Sequence, residues 1–360
     1  MYIRTENKRK SSPIRVLLLL LLNVIGIYIL TERREVLTLP GPTPTPTLAA
    51  GYHIKQGDEA YWRGQIDEAI AAYLTAAEKD PLQPAAHARA ARLMAFRGLT
   101  HEAVSRARRG VEADPTDVEA RAVLCMALDW NGQYDEAIST CLEAVDMDPA
   151  YAPAYAYLAE AYADKVIWAK AQEMAEKAVE LDDDNVDVYR NLAYVYERQG
   201  KYRQAIEAAQ KAREVHPKFS YNYMMLGRNY LALQKVDEAI AQFQSATEVD
   251  PNNAEAMEAL GWAYYAGQEY QQAVAALEKA ILIDPERASA YGRLGIVYYV
   301  LRNYESAIPN LRRGIALGLD SVEYFYEFGL SYVNLGRCDE ARPRLERALE
   351  IDPTAQPAWA

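Results

Sequence analysis

Nine alanines recur at an unbroken spacing of 34 residues: Ala69, Ala103, Ala137, Ala171, Ala205, Ala239, Ala273, Ala307 and Ala341. A second ladder keeps the same register, with Pro81, Pro115, Pro149, Pro217, Pro251, Pro285 and Pro353 at its rungs and Asp183 and Leu319 in the two remaining places. A period held this long without insertion restricts the chain to a stacked array. A unit this short buries its apolar face only against its neighbours.

Within one unit the apolar spacing is helical. From Ala254 to Arg287, Met257, Leu260, Gly261 and Tyr264 fall on one face of a first helix. Tyr270, Ala273, Val274, Leu277, Ala280, Ile281 and Ile283 continue the pattern after a break at Gly267, and Pro285 ends the unit because proline cannot extend a helix. Each unit therefore reads as a helical hairpin. Gly261 and Ala273 let the two backbones approach, while Leu260, Tyr264 and Leu277 fill the space between hairpins.

In the sixth unit Tyr223, Leu226, Gly227, Tyr230, Ala239, Phe243, Ala246 and Pro251 stand at positions 4, 7, 8, 11, 20, 24, 27 and 32. That pattern resembles the tetratricopeptide repeat family. Tyr189, Leu192, Ala193, Tyr196, Ala205, Ala209, Ala212 and Pro217 nearly repeat it in the unit before, whereas the first two units carry His53, Gln56, Ala60, His87, Ala90 and Met94 at the bulky, Leu and Tyr places. The resemblance covers Ala50 to Thr354. It implies an all-α, right-handed solenoid of about nine hairpins, numbered below as repeats 1 to 9, over a repeat domain of residues 50–360.

The N-terminal end reads differently. Val16 to Leu30 is almost wholly apolar, broken by Asn23, Gly26 and Tyr28, and Arg4, Lys8, Arg9, Lys10 and Arg15 precede it. Residues 14–31 make about 27 Å of helix, just short of a hydrocarbon core of about 30 Å. The reading is a basic cytoplasmic tail (1–13), a transmembrane signal anchor (14–31) and a Pro/Thr-rich linker (32–49). A cleaved signal peptide is the rival, although Thr31, Glu32, Arg33, Arg34 and Glu35 offer no small-residue cleavage site. Charge asymmetry would place the N-terminus in the cytoplasm and the repeats across the membrane. The alternating prolines from Pro40 to Pro46 would make an extended spacer.

The net charge of −12 disfavours nucleic acid, since no cluster of Lys or Arg with interleaved aromatics lies on one helical face. Cys125 and Cys141 sit at positions 8 and 24, read as core positions about one helical turn out of step for a disulfide, and Cys338 reads as semi-buried. His53, His87, His101 and His216 are dispersed, with no metal-ligand spacing. Pairs such as Asp67 with Glu68 and Asp237 with Glu238 fit helix starts. No catalytic residue, metal site or cofactor is assigned, and the chain is not read as an enzyme.

In the resembled family the first helices line a concave groove through positions 2, 5, 9 and 12. Here those places hold Asp187, Arg190, Tyr194 and Glu197, then Tyr221, Met224, Arg228 and Leu231, then Glu258, Trp262 and Tyr265, then Ile296 and Tyr299. Of these, Arg190, Tyr194, Tyr221, Met224, Arg228, Glu258, Trp262, Tyr265 and Tyr299 are the candidate partner-binding residues, because aromatic, Arg and Met side chains supply the contacts of protein interfaces. Alternatively, Trp262, Tyr265 and Tyr299 merely support neighbouring helices. The lysine and asparagine pairing that holds a chaperone tail is absent, with Arg190 and Tyr194 the nearest to it.

The function expected is a membrane-anchored scaffold for a protein or extended peptide, its repeat domain monomeric. A non-catalytic subunit of an envelope glycan or peptidoglycan synthase, or a cytoplasm-facing import-type receptor, are the alternatives. At the far end Arg342 replaces the apolar ridge of position 21, as a terminal helix requires, and Trp359 either folds back as a cap or mediates self-association.

Overall fold

The computed structural model describes residues 13–32 and 46–354. These form 19 α-helices and no strand. Eighteen follow one another from Pro46–Trp62 to Cys338–Ile351, two to a repeat, and the remaining helix is Pro13–Glu32, one more than nine hairpins need. By its contacts the chain divides into Met1–Leu48 and Ala49–Ala360.

The first segment corrects the membrane reading. Within Pro13–Glu32 the unbroken apolar run is Val16 to Leu22, about 10 Å at roughly 1.5 Å per residue, and it stops at Asn23, whose amide donates to the Leu19 carbonyl. Among the described residues no helix is long and apolar enough to cross a membrane. The transmembrane anchor, and with it the single-pass placement of the repeats outside the cytoplasm, is therefore not supported. Residues 1–12 and 33–45, with most of the expected tail and spacer, lie outside the described residues, as does Trp359. Pro46 and Thr47, read as extended spacer, instead start a helix.

In the second segment the alanine ladder lies inside the hairpins: Ala69 through Ala307 at position 20 are fully buried, and Ala341 is 2% exposed. Position 8 meets position 24. A Cβ added to Gly227 would stand 2.6 Å from the Phe243 ring, and one on Gly261, Gly295 or Gly329 would strike Leu277, Leu311 or Leu345 at 2.5 to 2.7 Å. Cys125 and Cys141 occupy this same pair of positions and are joined by a disulfide, with Cα atoms 5.3 Å apart. The expectation that they lie a turn out of step is corrected: position 8 faces both position 20 and position 24, as Gly261 does with Ala273 and Leu277. Cys338, expected to be semi-buried, is exposed.

The turn inside each hairpin falls at position 15. Its residue has positive φ in all nine repeats: Gly64, Gly98, Gly132, Gly200 and Gly336, and also Val166, Gln234, Gln268 and Arg302, the last four at 59° to 62°. The break expected at Gly267 falls there, since the helix ends at Ala266 with Gly267 as its cap, and the positive φ follows at Gln268. Hydrogen bonds such as Lys201 N–H to the Tyr196 carbonyl, at 2.9 Å, close the turn.

Between repeats, position 4 reaches back to the proline of the preceding repeat. The Tyr155 and Tyr223 hydroxyls donate to the Pro149 and Pro217 carbonyls at 3.3 and 3.0 Å. His87, which breaks the family pattern, keeps the same link through Nε2 and the Pro81 carbonyl at 3.0 Å. Nδ1 of that ring is left without a partner.

Candidate protein-binding face

Stacked hairpins curve, and in this chain the curve closes on itself. The first helices of repeats 1 and 2 meet repeats 5 and 6 across the concave side. The Tyr61 ring packs edge-on to His216 at 4.6 Å and Trp62 stacks on it at 4.5 Å. Phe96 makes edge contacts with Phe219 at 4.8 Å and Tyr221 at 5.0 Å. Arg97 binds Asp250 at 2.6 Å and Asp67 at 2.8 Å.

At the centre of this closure lies a buried polar knot. Arg190 is fully buried and its guanidinium bonds Glu160 at 3.0 and 3.3 Å, while the Trp130 indole N–H donates to Glu160 at 2.9 Å. Asp187 receives Arg92 and the Tyr157 hydroxyl, the latter at 3.0 Å. Burial alone would raise the Asp187 carboxyl, yet Arg92 and Arg190 hold it below its usual range. Burial pushes His216 down to about 4, so the imidazole against Trp62 is neutral at physiological pH. These pairings keep each charge compensated in a water-poor interior, where breaking one leaves its partner stranded.

The closure sorts the groove residues expected from the sequence. Arg190, Met224 and Glu258 are buried, at 0%, 1% and 3% exposure. Met224 lies in the core with Phe243, and Glu258 is held by Arg287 and by Arg293, the latter at 3.1 Å. Tyr194 donates to Asp164 at 2.5 Å and Arg228 lies over the Tyr221 ring at 5.3 Å, so Tyr194, Tyr221 and Arg228 are partly covered by the chain itself.

Repeats 7 to 9 lack such a covering. Trp262 and Tyr265 stack at 4.6 Å and remain partly exposed, as does Tyr299 in the next repeat, 5.7 Å from Tyr304. Arg293 lies 5.0 Å above the Trp262 ring. A shallow pocket beside this ledge is lined by Met224, Arg228, Leu231, Trp262 and Arg293. On the ninth repeat Glu323, Tyr326 and Glu327 extend the same face. Burial, then Glu323, pushes the Glu327 carboxyl up to about 7, and burial, then Glu327, pushes the Tyr299 phenol up to about 12.

Sequence reasoning missed the closing residues Arg92, Phe96 and Arg97, at positions 9, 13 and 14 of repeat 2, and His216, at position 31 of repeat 5. It also stopped short of repeat 9. Carrying positions 2 and 5 one unit further reaches Glu323 and Tyr326.

A tetratricopeptide repeat model matches residues 54–118, and a model of the cilia and flagella-associated protein 70 C-terminal domain matches residues 180–359. The chain belongs to the tetratricopeptide repeat family. No curated protein matches it. Among solved structures it is similar to a chain of the APC/C hetero-tetramer Cut9–Hcn1, with a TM-score of 0.66 and 19% identity over 81% of this chain; it spans 58% of that chain's length. It is also similar to PilF of Pseudomonas aeruginosa, with a TM-score of 0.53 and 19% identity over 59% of this chain and 96% of the other. At such identities the likeness shows the helical-repeat fold alone.

Proposed function

We propose that this tetratricopeptide repeat protein is a scaffold that holds a protein partner on the concave face of repeats 7 to 9. One observation carries the reading: the closure buries Arg190 and sets Phe96 against Tyr221, while Trp262, Tyr265 and Tyr299 stay partly exposed with only neighbouring side chains against them. Large, rigid aromatic rings beside an arginine are the side chains that dominate binding energy when a partner covers them. Repeats 1 to 6, closed through Arg97 and Asp250 and through Arg92 and Asp187, then serve as a rigid base.

Photo-crosslinking from position 265 tests this, with position 241 on the exposed side of Val236–Val249 as control. Capture of a discrete partner from position 265, lost in Trp262→Ala/Tyr299→Ala at unchanged helical content, is the expected result. Equal capture from both positions rejects the assignment.

A further inference from the structure

Glu323 and Glu327 lie one helical turn apart on Val322–Asn334. Like charges at this spacing destabilise a helix. Neither carboxylate forms an ion pair with a basic side chain among the described residues, and Glu327 Oε2 is buried with no hydrogen-bond partner. Arg293 on the neighbouring repeat is taken up by Glu258 at 3.1 Å and by the Trp262 ring. Burial raises the phenols of Tyr265, Tyr299 and Tyr326, and the nearby Glu327 charge adds to all three. The two carboxyl groups therefore lie beside three aromatic rings, and Arg293, the arginine described on this face, is already committed to Glu258 and the Trp262 ring.

Aromatic faces attract cations, and a carboxylate removed from water is most improved by a positive partner. A net charge of −12 on the chain also favours approach of a basic partner. We infer that a partner protein docks by seating an arginine or lysine side chain among Tyr265, Tyr299 and Tyr326 against Glu323 and Glu327, with an adjacent apolar side chain laid on Trp262. This rests on the face proposed above and specifies what that face selects.

A random-peptide display library is selected against the full chain and, separately, against Glu323→Gln/Glu327→Gln, Glu323→Gln and Trp262→Ala, each first checked for unchanged helical content. The unaltered chain is expected to enrich peptides with one fixed basic residue next to an apolar one. A resynthesised peptide of that kind should bind about tenfold more weakly when its basic residue becomes glutamine, and about tenfold more weakly to the double glutamine variant. Glu323→Gln alone should produce part of the loss. Enriched peptides without a basic residue, still dependent on Trp262, overturn this inference and leave the face standing. Absence of any Trp262-dependent enrichment overturns both, and so does a basic peptide that binds the double variant unchanged while ignoring Trp262→Ala.

Discussion

The Arg97 guanidinium donates to the Asp250 carboxylate across 2.6 Å, although the two residues are 153 positions apart in the chain. An ideal solenoid has no such contact, because each repeat touches only its neighbours. Here it joins the end of the first helix of repeat 2 to the end of repeat 6, and Tyr61, Trp62 and Phe96 pack against His216 and Phe219 beside it.

Asp250→Ala should cost about 3 kcal/mol, since it strands a largely buried Arg97 whose other carboxylate, Asp67, is solvent-exposed. Urea unfolding checks the magnitude. Hydrogen exchange should quicken in Pro84–Phe96 and Ser220–Ala232 and stay unchanged in Val322–Asn334. Uniform quickening across all repeats would show that the contact does not close a local ring.

Val166→Gly should stabilise the chain by about 1 kcal/mol, because a β-branched residue at φ 62° carries a steric cost that glycine lacks. Gly200→Val, the reverse change in the next repeat, should destabilise by about 1 to 2 kcal/mol. Thermal melts of the two variants are the check, and shifts of the same sign would contradict the turn geometry.

Asp129 is 2% exposed with both carboxylate oxygens unpaired, and burial, then Glu160 and Asp164, raise its pKa from 3.8 to about 9, with Arg190 opposing them. The folded state therefore holds a proton that the unfolded chain has released. Its contribution is full below about pH 4 and is lost as pH rises towards 9. Asp129→Asn should remove that loss, raising the melting midpoint at pH 8 by about 2 °C or more and leaving it nearly unchanged at pH 4. A midpoint at pH 8 that does not rise would count against the buried, protonated acid.

Reducing the Cys125–Cys141 disulfide should lower stability by about 3 kcal/mol, as expected for a loop closed at a separation of 16 residues. Cys125→Ala/Cys141→Leu restores the small and large pair found elsewhere at positions 8 and 24, and should recover part of that loss without sensitivity to reductant. Calorimetry with and without reductant tests both points.

The hairpins were legible in the sequence because their determinants are local. Ala239 and Pro251 mark a helix contact and a helix end whatever lies elsewhere in the chain. The pairing of position 8 with position 24 was misjudged by one turn, since spacing along each helix does not specify how two helices cross. Gly227 against Phe243 shows it once the crossing is seen. The closure was not legible at all. Whether Arg97 meets Asp250 depends on small rotations summed over several repeats, and no residue pattern within one repeat encodes that sum. The same summation decided that Arg190, at a groove position of its helix, would be covered by Phe96 from a distant repeat.

The closure through Arg97 and Asp250 also bears on how the chain comes apart. An open stack of hairpins frays from an end, one hairpin at a time, as repeats 7 to 9 are free to do. Repeats 2 to 6 form a loop whose two ends hold each other, so loosening any member releases the clasp and removes support from the rest. Forming that loop requires an encounter between distant parts of the chain, and its closure entropy must be met before the aromatic contacts form. Under pulling force the chain should therefore behave as two materials in series: a ladder that yields in small successive steps, and a hoop that resists until it opens in one larger event.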